Sequence, residues 1–172
     1  RKKTEIELSK FANKDSLTNI YNRRKIEELC ENELKRSERY NSALSLIFFD
    51  LNDFKLINDL LGHHKGDDVL IKIADVVSNN IRSTDYFGRW GGDEFLIVLP
   101  HTDILQTEKI IKVLEKKINE INFKLKEKLP VSCSFGLCQY EKSDTLDSLL
   151  KKADLSMYTI KNKYKKTKSI IA

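Results

Sequence analysis

Two periods of apolar residues run along this chain, and together they predict an alternation of helices and strands. Leu44, Leu46, Ile47, Phe48 and Phe49 form a near-continuous apolar run between Ser42 and Leu51, as expected of a strand buried on both faces. Tyr86, Phe87 and Trp90 precede Gly91 and Gly92, and Phe95-Leu96-Ile97-Val98-Leu99 follows as far as Pro100. This reads as a tight hairpin with Gly91 and Gly92 as its turn, because glycine takes a positive φ at little cost. Val131, Cys133, Phe135 and Leu137 alternate with Ser132, Ser134, Gly136 and Cys138, a strand with two unlike faces, and Phe123-Lys124-Leu125 suggests a shorter one.

Between these runs the spacing turns helical. Asp15-Ser16-Leu17-Thr18 supplies a helix start, and Leu17, Tyr21, Ile26, Leu29, Cys30 and Leu34 make a stripe to about residue 40, interrupted by Asn22-Arg23-Arg24. Asn52 and Asp53 open a short helix through Leu61. A loop is expected over Gly62-His63-His64-Lys65-Gly66-Asp67, with Asp67 or Asp68 capping a helix that turns Val69, Leu70, Ile73, Ala74, Val77 and Ile81 inward. Thr102 or Asp103 caps the next, with Leu105, Ile110, Ile111, Leu114, Ile118 and Ile121 inward. Asp144 or Thr145 opens the last, with Leu146, Leu149, Leu150, Ala153, Met157, Tyr158 and Ile160 inward. The order α-β-α-α-β-β-α-β-α describes an α+β protein with helices packed on a mostly antiparallel sheet.

Composition narrows the picture only a little. A length of 172 residues suits one domain, and no apolar run is long enough for a membrane span. Residues 1–14, apolar only at Ile6, Leu8 and Phe11, read as the end of an upstream helix or linker, and the chain starts at Arg1 as if cut from something longer. The charge of +5 lies largely in Lys161–Lys168, read as a solvated helix end favoured by the dipole rather than a nucleic-acid surface. Cys30, Cys133 and Cys138 form no Cys-x-x-Cys pair and suit core thiols in a reducing, cytoplasmic setting. His63, His64 and His101 lack zinc-ligand spacing.

Three carboxylates change the picture more. Asp50 closes the buried strand, a costly place for a charge unless a cation or hydrogen bonds meet it. Asp93 and Glu94 follow the hairpin glycines at the start of the return strand, where neighbouring side chains point to opposite faces and so divide their work. If that strand and the hairpin are neighbours in one sheet, Asp50 and Asp93 face one cleft. Hard oxygen ligands of this kind suit Mg²⁺, which draws its remaining ligands from water and substrate phosphates. The helix start at 52–55 and Lys55 add a positive field beside it. The chemistry indicated is phosphoryl transfer.

The ordered motifs carry a resemblance. From Asp15-Ser16-Leu17-Thr18 and Asn22-Arg23-Arg24, through Phe49-Asp50-Leu51-Asn52-Asp53-Phe54-Lys55, Asn58-Asp59, Gly62-His63 and Gly66-Asp67, the chain resembles the GGDEF-domain diguanylate cyclases. The likeness continues in Arg82-x-x-Asp85, Arg89-Trp90-Gly91-Gly92-Asp93-Glu94-Phe95, Ser134-Phe135-Gly136, Ala153-Asp154, Met157-Tyr158 and Lys161, and spans roughly residues 11 to 166. It implies a ferredoxin-like, palm-type nucleotide cyclase fold with residues 15–172 as the catalytic domain. The activity implied is condensation of two GTP into cyclic di-GMP and two pyrophosphates by a homodimer.

By the same resemblance Asp50, the Leu51 carbonyl, Asp93 and Glu94 hold Mg²⁺, with Mn²⁺ as an alternative, and Asp93 and Glu94 serve catalysis. Asn58 and Asp67 read guanine. Chemistry agrees, since a carboxylate accepts from both N1–H and the exocyclic amine of guanine and adenine lacks that pair. Phe54, Lys55, Lys161 and Lys165 bind phosphates, and Gly91 and Gly92 give the hairpin backbone. Arg82 and Asp85 correspond to the family's inhibitory site for its product, projecting together from one turn at the helix end, with Arg36 or Arg39 as candidate second arginines. The chain departs from the family in its tail. Tyr164-Lys165-Lys166 stands where Gly-Arg-Asn is usual, so Lys165 keeps a charge and loses a bidentate fork. Trp90 stands for the more usual tyrosine. The competing expectation is a catalytically silent module that senses GTP or cyclic di-GMP, but Gly91 to Phe95 is intact.

Overall fold

All eight residues of the strand Leu44–Leu51 are buried, and the rest of the molecule is layered around it. The computed structural model describes residues 13–121 and 131–171. In chain order these form α1 (Arg23–Tyr40), β1 (Leu44–Leu51), α2 (Phe54–Leu61), α3 (His63–Ser78), β2 (Tyr86–Gly91), β3 (Glu94–Pro100), α4 (Ile104–Asn119), β4 (Cys133–Gln139) and α5 (Leu146–Ile171). The order matches the one read from the sequence. The expected strand at Phe123-Lys124-Leu125 and nearly all of the expected upstream segment fall outside the described residues.

The four strands form one sheet in the order β2-β3-β1-β4, and each neighbouring pair is antiparallel. Side chains alternate across a strand, so β1 feeds two cores. Ile47, Phe49 and Leu51 face α2, α3 and α4, where Ile57, Val69, Ile73, Leu114 and Ile118 close over them. Phe49 stacks on Phe95 at 5.1 Å and on Phe135 at 4.9 Å between ring centroids. Leu44, Leu46 and Phe48 face α1 and α5, against Ile26, Cys30, Leu149, Ala153 and Met157. Gly136 is why α5 can lie so close. A Cβ there would meet the Met157 backbone nitrogen at 2.1 Å and the Ala153 carbonyl oxygen at 2.3 Å.

Several expectations are corrected. Asp15 does not start a helix; its carboxylate accepts from the Thr18 N–H at 2.9 Å and hydroxyl at 2.7 Å, which closes a turn by the same chemistry as a cap. The helix begins at Arg23 behind Asn22, whose side chain accepts from the Lys25 N–H. The expected loop after Leu61 shrinks to Gly62 at φ +83°, and His63 to Asp67 are helical. Gly66 sits inside α3, pressed against Asn58: a Cβ there would lie 1.9 Å from Asn58 Oδ1. Asp103 does cap α4, in a reciprocal capping box with Gln106. Leu105, Tyr158 and Ile160, expected inward, are exposed.

Candidate active site

The acids converge because of register. β1 pairs with β3 so that Asp50 lies opposite Glu94, and the Leu51 N–H donates 3.3 Å to the Asp93 carbonyl. Strand and hairpin are therefore neighbours, as the shared cleft requires. The turn itself differs from the expected one. Gly91 ends β2 and pairs with Glu94, so the two turn residues are Gly92 and Asp93. Only Gly92 has a positive φ, at 53°, where a II′ hairpin puts its glycine. Asp93 thus stands on the turn and Glu94 is the first residue of the strand.

Asp50 is 3% exposed. Its Oδ2 is paired with the ammonium of Lys161 from α5, and its Oδ1 has no hydrogen-bond partner. Burial pushes its carboxyl above the ordinary range, Lys161 pulls it down and Asp93 pushes it up again. Glu94 is raised as well, by burial first, then by Asp93, Asp50 and Asp154. An orphaned buried carboxylate oxygen beside further acids is what a cation would relieve, so the residues present fit a divalent metal. Among the described residues no three acidic, histidine or cysteine side chains close on one point. The acids offer at most a partial shell, which water and phosphate oxygens would have to complete. Lys161, expected on phosphate, lies on Asp50 where such a cation would lie.

Beyond Leu51 the chain is held by Asn52. Its N–H donates 2.8 Å to the Ser132 carbonyl, its amide donates 3.0 Å to Ser132 Oγ, and Ser134 Oγ donates 2.7 Å to its Oδ1. This explains Ser134 in the motif before Gly136. Asp53 follows at φ 56°, and its side chain makes no capping bond to α2, so its carboxylate does not occupy the first-turn N–H groups there. Asn58 and Asp67 are half-buried on α2 and α3, which meet at Asn58 and Gly66.

Arg82 and Asp85 are not on a helix end, since α3 stops at Ser78. They close a turn before β2, with the Arg82 N–H donating 2.8 Å to Asp85 Oδ2 and the Asp85 N–H donating 3.0 Å to the Arg82 carbonyl. The Arg82 side chain is exposed. Asp85 is buried with Oδ1 unpartnered, and burial raises its carboxyl while the Arg82 N–H lowers it. Of the candidate second arginines, Arg36 pairs with Glu33 at 2.9 Å and Arg39 lies 6.0 Å over the Tyr40 ring. Burial pushes the Cys30 and Cys138 thiols up to about 12, as inert core groups.

Two contacts were missed from sequence. Arg89 reaches both Asp15 and the Gly92 carbonyl, and Tyr164 donates 3.0 Å to Asp53 Oδ2. The Arg89–Asp15 and Tyr164–Asp53 contacts join residues far apart in the chain. The only signals were the place of Asp15 in the opening motif and the unusual tyrosine in the tail.

Fold and site define an α+β domain of the palm type, with acids at one end of its central strands and helices on both faces. The chain belongs to the family described as diguanylate cyclase, GGDEF domain, which matches residues 12–167. It is 31% identical over 151 residues to the diguanylate cyclase DosC of Escherichia coli, covering 87% of this chain and 33% of DosC. It thus spans about a third of the length of that relative. The crystal structure of the diguanylate cyclase SiaD of Pseudomonas aeruginosa, in complex with its activator SiaC, is similar at a TM-score of 0.86 and 29% identity, over 94% of this chain and 63% of that one. The GGDEF domain of TpbB, also called YfiN, from Pseudomonas aeruginosa is similar at a TM-score of 0.82 and 32% identity, over 88% of this chain and 90% of that one.

Proposed function

We propose that residues 15–172 are the catalytic domain of a diguanylate cyclase that condenses two GTP into cyclic di-GMP and two pyrophosphates. The observation that carries this reading is Asp50, buried with one oxygen unpartnered, directly across the sheet from Glu94 and beside the Asp93 turn. Asp50, the Leu51 carbonyl, Asp93 and Glu94 would hold Mg²⁺, or Mn²⁺ in its place, which when bound stabilises charge developing on the phosphate oxygens. Phe54 and Lys55 at the open start of α2, with Lys161 and Lys165 on α5, receive the triphosphate. Asn58 and Asp67 read the guanine edge, and Asp67 favours GTP over ATP. One domain presents one GTP. Closing a ring from two nucleotides therefore calls for a second copy, so that each 3′-oxygen bonds to the partner's α-phosphorus as pyrophosphate leaves and the hydroxyl proton is released.

Product inhibition belongs to the same reading. The exposed Arg82 can donate to guanine O6 and N7, and Asp85, buried in the turn it closes with Arg82, would accept from N1–H and N2 once that turn opens. We assign the domain to the cytoplasm, where GTP is available. No described helix is long and apolar enough to cross a membrane. The deciding experiment is incubation of the purified chain with GTP and Mg²⁺ and identification of the product by mass. Cyclic di-GMP is expected. Unreacted GTP at high protein concentration would favour the silent sensing module instead.

A further inference from the structure

We infer that Tyr164 is a positioning residue for the triphosphate, acting by holding the Asp53 carboxylate away from the first turn of α2. The inference rests on the cyclase reading and deepens it, since it assigns a task to a tail residue that the reading leaves without one.

Asp53 stands immediately before α2, in the place from which an aspartate ordinarily caps a helix by accepting from the second or third N–H group of the first turn. It makes no such bond. Its backbone is left-handed, at φ 56° and ψ 25°, which an ordinary side chain adopts only at some cost. Its Oδ2 instead accepts from the Tyr164 hydroxyl at 3.0 Å. Tyr164 lies one turn beyond Lys161, and Lys161, Tyr164 and Lys165 share a face of α5 by their spacing of three and four. That one face carries the ammonium on Asp50, the phenol on Asp53 and a second ammonium close enough to lower the Asp50 carboxyl.

A carboxylate released at this position would compete with a phosphate in two ways. It would accept from the N–H groups that otherwise meet the phosphate, and its charge would repel the anion. Held by the phenol, it is kept off those N–H groups. The same bond ties the turn at residues 52–55 to the face of α5 that carries the lysines.

The test uses a GTP analogue with a methylene group between the α- and β-phosphorus, titrated calorimetrically with Mg²⁺ present, alongside GTP turnover. Tyr164→Phe keeps the ring and removes the hydroxyl. It is expected to weaken analogue binding about tenfold, the scale of a charge-assisted hydrogen bond, and to raise KM with kcat little changed and the melting temperature unmoved. Adding Asp53→Gly removes the competing carboxylate and suits the positive φ, so the double variant is expected to bind like the parent. Parental affinity in Tyr164→Phe overturns the inference. So does a weakened Tyr164→Phe that Asp53→Gly fails to restore, because the loss then does not run through Asp53. A parent chain that binds the analogue and makes no cyclic di-GMP overturns the cyclase reading alone, and the binding comparison still decides the role of Tyr164.

Discussion

Arg89 is ion-paired with Asp15 across 74 positions of sequence, Nη1 to Oδ1 at 3.1 Å, and its Nε donates 2.9 Å to the carbonyl of Gly92. The residue after Gly92 is Asp93, so the turn closed by Asp15 and the turn that bears the acid share one guanidinium. The segment between them is pinned as well, by Tyr21 N–H to the Phe87 carbonyl at 3.1 Å and Arg89 N–H to the Tyr21 carbonyl at 2.8 Å.

Asp15→Asn is therefore expected to lower turnover by loosening the Gly92-Asp93 turn, at a stability cost of about 1 kcal/mol, or about 2–4 °C in melting temperature. Burial alone would raise the Asp15 carboxyl, but its hydrogen bonds with Thr18 and the Arg89 charge outweigh that and leave it below the ordinary range. The contribution is present above the unfolded carboxyl's pKa and is lost as pH falls through the lower folded value. The melting temperature of Asp15→Asn should converge on that of the parent in acid, and a constant gap down to about pH 2 would remove the ion pair from the account.

Asp50→Asn and Asp93→Asn should each cut turnover by at least about a hundredfold, the scale of losing a group that stabilises transition-state charge. Their effects on folding differ from their effects on rate. Burial raises the Asp50 carboxyl, so its ionisation opposes folding progressively as pH rises through the folded pKa. Without metal, Asp50→Asn should melt no lower than the parent at neutral pH. Added Mg²⁺ should raise the melting temperature of the parent more than that of the variant. Near-normal turnover in both variants would remove the acids from the mechanism.

Asp67→Ser should narrow the preference for GTP over ATP, because a hydroxyl cannot accept from N1–H and the exocyclic amine together. Competition between the two nucleotides in one reaction measures this directly. Unchanged discrimination would mean that guanine is read by other residues.

Arg82→Ala should leave the initial rate intact while product accumulates without slowing, because the exposed Arg82 precedes Tyr86, at the opposite end of β2 from the Gly92-Asp93 turn. Calorimetry should show weaker cyclic di-GMP binding in the variant. Superimposable progress curves with undiminished binding would make Arg82 and Asp85 a structural turn only.

Much of this was legible in the sequence, for definite reasons. The nine-element order follows from apolar period, and β1 was recognisable because a strand buried on both faces leaves no polar alternation. The hairpin was legible, but its register was not. Two adjacent glycines permit two turns, and the pairing of Gly91 with Glu94 selects the one at Gly92-Asp93. Asp15 misled because an aspartate accepting from the N–H three residues on closes a turn and caps a helix alike. Gly62 proved a sufficient break by itself, so the following Gly66 is a packing residue rather than a loop residue. Periodicity also places Tyr158 and Ile160 inward, although among the described residues of α5 only Leu149, Ala153 and Met157 are buried. Contacts such as Tyr164 to Asp53, 111 positions apart, have no local signal.

Gly136 sets the zero of a ruler. Because α5 touches β4 there backbone to backbone, at Ala153 and Met157, the helix can neither slide nor roll without a clash or a void. Lys161 stands one turn past that point, about 6 Å along the axis, so its ammonium meets Asp50 at a distance measured in peptide units rather than by side-chain reach. A single methyl group at position 136 would push α5 off β4 and shift every mark on that ruler at once, the acid–lysine pairing among them.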